Sequence, residues 1–146
     1  MFSETNNQAS PLDGFNAESV VAHLRANLST EVIGIYAFGS RVQGTANAHS
    51  DLDLAVLVAG YVDPLLLWRL AGELAELVGC AVDLLDLRAA STVMQYQVLT
   101  TGRRLWGVEP AAGLFECYVL SEKTALDTAR SGLLADISQQ GSVYGR

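Results

Sequence analysis

Asp51 and Asp53 stand two residues apart at the mouth of an apolar run, Leu52–Val58 (LDLAVLV). Side chains alternate along a strand, so on a strand the two carboxylates share one face. Their like charges repel, which raises a carboxyl pKa unless a cation sits between them. Mg²⁺ takes oxygen ligands, usually one or two carboxylates together with substrate phosphates. The pair therefore suits a metal seat. An Asp-x-Asp also arises by chance near turns, so the spacing alone leaves both readings open.

A second feature precedes it. Gly39-Ser40 follows another apolar run, Val32–Phe38 (VIGIYAF). Glycine lets backbone approach a ligand closely, and a turn opening into a helix offers free N–H groups to phosphate. Ser40 adds a donor, and Gly44 serves the turn. Arg41 is open between a phosphate contact and a surface role. No Gly-Lys-Ser/Thr follows, so this is not a P-loop. The Gly-x-Ser-x-Gly frame is absent too, which sets Ser40 aside as a nucleophile.

Together the two features read Gly-Ser, ten residues, Asp-x-Asp, then an apolar strand. This pattern resembles the nucleotidyltransferase superfamily that shares the DNA polymerase β core. The resemblance implies a third carboxylate on a later strand, and Asp83 in Val82-Asp83-Leu84 matches it. Asp86 has the opposite strand parity and is expected to face away or cap the strand end. The short chain further resembles the minimal nucleotidyltransferase antitoxins of HEPN/MNT toxin–antitoxin pairs. That likeness implies transfer of AMP from ATP to a tyrosine of a cognate HEPN ribonuclease toxin, which it silences. It implies two Mg²⁺ ions held by Asp51, Asp53 and Asp83, with Gly39 and Ser40 on the β and γ phosphates. Asp83 would lie on the acceptor side. Two other readings stand beside this one. One is a non-catalytic antitoxin that acts by occlusion. The other is a small-molecule enzyme of the aminoglycoside nucleotidyltransferase type, which usually carries an extra substrate domain.

The surrounding elements must position these groups. Asn16 caps a helix whose Val20, Val21, Leu24 and Leu28 fall at helical spacing. Strands follow at 32–38 and 52–58, with one helical turn near 40–43 between them. Asp63-Pro64 opens a helix that ends at Gly79. A third strand is predicted over 81–87, a helix capped by Ser91 to about Thr101, and a short edge strand or a turn over 104–108. A long final helix runs from Leu114 to about Ile137. The order predicts an α/β (α+β) domain: a small sheet, mixed in the family it resembles, covered by helices. Domain limits of 16–137 are expected, with flexible segments at 1–15 and 138–146.

Composition narrows the partners. Half of the 146 residues are hydrophobic, enough for a core, and one domain is the default at this length. Nine Lys and Arg face sixteen Asp and Glu, a net charge of −7. That disfavours direct binding of nucleic acid, whose readers show basic faces, and suits a basic protein partner. No apolar run approaches a membrane span and no signal peptide is evident, so a cytoplasmic protein is expected. Cys80 and Cys117 match no metal spacing and read as free buried thiols. His49 and His23 read as solvent-facing, Tyr36 and Phe38 as core. Trp68 and Trp106 are open between core anchors and partner contacts.

Overall fold

Short local signals start and stop most of the helices. In the computed structural model, which describes residues 16–43 and 51–139, Asn16 caps α1 (Ala17–Asn27), its Oδ1 accepting from the N–H of Glu18 at 3.0 Å and of Ser19 at 3.2 Å. Strand β1 (Val32–Phe38) and the one-turn α2 (Ser40–Gln43) follow. After β2 (Leu52–Val58), Asp63 caps α3 (Pro64–Val78) through the Leu65 N–H, with Pro64 in the first helical position. Gly79 stops that helix at φ +83°, a conformation costly for any residue with a Cβ. Ser91 Oγ accepts from Met94 N–H at 3.1 Å and starts α4 (Thr92–Thr101). Caps of this kind contribute about 1 kcal/mol each.

The third strand is shorter than predicted. β3 spans Val82–Asp86, and Leu87–Ala89 form a 3₁₀ turn. The reason is Asp86, 5% exposed. Its Oδ2 accepts from Val62 N–H at 2.8 Å and its Oδ1 from Arg88 N–H at 3.2 Å. As its parity predicts, Asp86 closes a strand end. β4 covers Arg103–Gly107, one residue earlier than expected. α5 runs from Ala111 to Gln139, starting three residues early and including the first two positions of the expected tail. The expected segments 1–15 and 140–146 lie outside the described residues.

The sheet order is β3-β2-β1-β4. β1 pairs antiparallel with both β2 and β4, and β2 pairs parallel with β3 through the α3 crossover. Helices cover both faces. On one side, Val20, Leu24, Leu70 and Leu74 of α1 and α3 pack on Ile35, Leu54 and Val56. On the other, Val98 of α4 and Phe115 and Val119 of α5 pack on Tyr36, Ala55 and Leu57. β2, apolar along most of its length, is therefore covered on both faces, as a run of this composition requires. α5 leaves the body early: Leu114, Tyr118, Leu120 and Leu126 are exposed. Cys117, read as buried, is exposed, because it falls off the line Ala112–Phe115–Val119 that meets the sheet. Cys80 is half-buried, and both thiols are free. Among the described residues no helix is long and apolar enough to cross a membrane.

Candidate active site

Strand register assembles the site. Phe38 of β1 pairs with Asp53 of β2, and Asp53 pairs with Asp83 of β3. Three side chains thus form one row across the sheet, on the face that α4 and α5 cover. The next row inward is Tyr36, Ala55 and Leu85. Asp51, exposed just before β2, shares the parity of Asp53. The sequence-predicted carboxylates are therefore neighbours: the parallel β2–β3 pairing sets Asp83 beside Asp53, and the antiparallel β1–β2 pairing adds Phe38.

Gly39 sits at the end of this row at φ +83°. A Cβ there would collide with the Asp53 carboxylate. The glycine both turns the chain into α2 and lets backbone lie against Asp53. Val42 N–H donates to Gly39 C=O at 3.1 Å, closing the turn that α2 continues. Ser40 and Arg41 occupy the first two positions of α2, both half-buried. Gly44 and His49 lie outside the described residues.

Electrostatics mark Asp53. Burial, then the charge of Asp83, then that of Asp51 raise its carboxyl above the ordinary 3.8. Among the described residues no ion pair reaches Asp51, Asp53 or Asp83. Nor, among the described residues, do any three His, Cys, Asp or Glu side chains form a group placed to hold a metal ion. What stands there is an open pair of carboxylates, Asp53 and Asp83, with Asp51 just before β2. That chemistry fits a hard divalent cation sharing its coordination sphere with phosphate oxygens.

A cavity of about 210 Å³ opens beside the carboxylates, lined by Phe38, Asp53, Asp83, Leu84, Leu85 and Met94. Met94, from the first turn of α4, was not foreseen. Phe38, read as core, is half-buried, packs against the core and also lines the cavity. Strand register reveals the place of Phe38, and the lie of α4 on the sheet that of Met94. Tyr36 is core as read, 2% exposed, but its hydroxyl donates to Glu116 Oε2 at 2.8 Å. His23, read as surface, ties α1 to α3 through Glu73 at 2.7 Å. Trp106 packs on the core with the Arg25 guanidinium 4.2 Å over its ring, whereas Trp68 is exposed.

Three comparisons bear on this geometry. The family model for polymerase β nucleotidyltransferases matches residues 20–110. Protein adenylyltransferase MntA of Shewanella oneidensis is 39% identical over 122 residues, 84% of this chain and 87% of that protein. A toxin–antitoxin crystal structure with AMP-PNP superposes with a TM-score of 0.75 at 39% identity, covering 84% of this chain and 98% of that one. A complex of tri-AMPylated Shewanella oneidensis HEPN toxin with its MNT antitoxin gives 0.68 at 36% identity, covering 83% and 94%.

Proposed function

The chain belongs to the polymerase β nucleotidyltransferase family, and from that premise we propose that it is an antitoxin that adenylylates a cognate HEPN ribonuclease toxin on a tyrosine hydroxyl, using ATP, in the cytoplasm. The observation that carries the reading is the row Phe38–Asp53–Asp83 with Gly39 against Asp53. The likeness to an adenylyltransferase and to an antitoxin bound to its AMPylated toxin supports the choice of acceptor.

In this mechanism the Gly39–Ser40 turn binds the β and γ phosphates through backbone N–H and the serine hydroxyl. Arg41 contributes positive charge there. Asp51, Asp53 and Asp83 would hold two Mg²⁺ ions. Bound there, the metal neutralises phosphate charge and steadies the entering and leaving oxygens. Asp83 accepts the proton of the acceptor hydroxyl. The tyrosine oxygen forms a bond to the α-phosphorus, and the bond from that phosphorus to the pyrophosphate oxygen breaks. Positioning and charge neutralisation supply most of the rate, as in phosphoryl transfer generally.

Intact-mass analysis of the toxin after incubation with this protein, Mg²⁺ and each nucleoside triphosphate tests the reading. One or more AMP additions, with ATP preferred, are expected. A toxin that is inhibited but unmodified would favour occlusion and overturn it.

A further inference from the structure

Trp68 is 80% exposed on α3, and Leu65 beside it is 75% exposed. Neither packs into its own domain. Trp68 borders a groove of about 820 Å³ between α3 and the outer edge of β3, whose lining includes Leu67, Trp68, Gly72, Ala75, Val82 and Asp83. Asp83 belongs to both this groove and the carboxylate row. Nothing lies within 4 Å of a Cβ built on Gly72, so the groove floor is open there. β3 is an edge strand, and among the described residues no strand pairs with it on that side. Ala81 C=O accepts from Leu52 N–H. By the alternation of a parallel ladder, the backbone groups of Val82 and Leu84 then face away from β2.

The chemistry says what must pass this edge. In an in-line displacement the entering oxygen lies opposite the leaving pyrophosphate. The pyrophosphate end belongs to Gly39–Ser40, after β1. Across the sheet the order is β1, β2, β3, so the acceptor hydroxyl arrives from the β3 side. Among the described residues no further strand stands beyond β3. Asp83 shares the α4–α5 face while the groove opens on the α3 side, so a polypeptide that delivers a tyrosine to Asp83 passes round the β3 edge that the groove borders. We infer that this groove docks the segment of the HEPN toxin that carries the acceptor tyrosine, with Trp68 as its anchor. The inference rests on the adenylylation reading above. Exposed aromatic anchors and open strand edges are both recurrent protein-docking features. Charge agrees: of the acidic residues lining the groove, Glu73 is already paired with His23 and Arg69, which leaves Glu76 and Asp83 to give the rim its negative charge. A ribonuclease grips a polyanion with basic surface, and such a surface complements an acidic rim.

The test uses purified cognate toxin with the wild type, Trp68→Ala, Gly72→Gln and, as a control on distal α5, Leu133→Ala. Toxin affinity, the toxin KM, the ATP KM and thermal stability are measured. Trp68→Ala and Gly72→Gln are expected to weaken toxin binding by roughly 10-fold or more and to raise the toxin KM. The ATP KM and the melting temperature should stay at wild-type values, and Leu133→Ala should match wild type throughout. Unchanged toxin affinity in both groove variants overturns the inference. So does a rise in the ATP KM, which would make the groove a nucleotide site, or loss of self-association alone, which would make it a contact between copies. A wild-type protein that binds toxin but adds no AMP would defeat the catalytic reading, while the affinity arm would still decide whether the groove docks toxin.

Discussion

Two acidic clusters lie on the same face of the same sheet, and they are built in opposite ways. Asp53 and Asp83 are register partners, with Asp51 just before β2; no ion pair reaches them among the described residues, and Asp53 is held above its ordinary value. Toward β4, Glu116 and Glu109 close on Arg104, at 2.9 and 2.7 Å. Tyr36 completes that cluster from β1. The Arg104 hydrogen bond and the Gly113 N–H hold Glu109 below the ordinary carboxylate value. One cluster fastens α5 to the sheet. The other has no ion pair among the described residues, which suits the cation site proposed above.

Substitutions should separate the two. Asp53→Asn is expected to lower AMP transfer by at least roughly 100-fold, since it removes an electrostatic element of the reaction. The same change should stabilise the metal-free protein. With its carboxyl raised, Asp53 costs no stability below the ordinary 3.8, and the cost develops as pH rises through the higher folded value. The amide has no such cost at neutral pH. A parallel fall in activity and melting temperature would erase the contrast. Gly39→Ala comes next, because its Cβ would displace the Asp53 carboxylate at a strained φ. Transfer should fall about 10-fold or more and stability by about 1 kcal/mol, read by single-turnover kinetics and thermal melting.

Glu116→Ala should do the reverse. It strands the Tyr36 hydroxyl and leaves Arg104 with Glu109 alone, costing about 1–2 kcal/mol in denaturant unfolding. The rate per folded molecule should stay near wild type. The smallest effect is a pH slope. Burial and then the Glu116 hydrogen bond raise the Tyr36 pKa far above 10.0. The folded state therefore keeps a proton that the unfolded chain loses above pH 10, and stability should fall with rising pH from there. Tyr36→Phe should flatten that slope.

Legibility in the sequence followed the range of the forces involved. β1, α2, β2 and α3 have the predicted boundaries because Gly39, Asp63-Pro64 and Gly79 are local punctuation. The end of β3 depends on Asp86 reaching Val62, twenty-four residues away in the chain, and no local pattern encodes that. α5 begins at Ala111, three residues before the predicted Leu114, and Glu109 Oε1 accepts the Gly113 N–H of its first turn at 3.0 Å. The closeness of Gly39 to Asp53 was foreshadowed by spacing, and that of Asp83 by the family resemblance. Phe38 and Met94 were not, because their place beside Asp53 follows from strand register and from how α4 lies on the sheet. The exposure of Trp68 and its groove likewise depend on which strand forms the sheet edge.

The central claim is that the open carboxylate row performs adenylyl transfer. Its most direct test is intact-mass analysis of the cognate toxin incubated with ATP, Mg²⁺ and either the wild type or the Asp51→Asn, Asp53→Asn double variant. The account predicts AMP added by the wild type and an unmodified toxin with the folded double variant. AMP transfer retained by the double variant would contradict it.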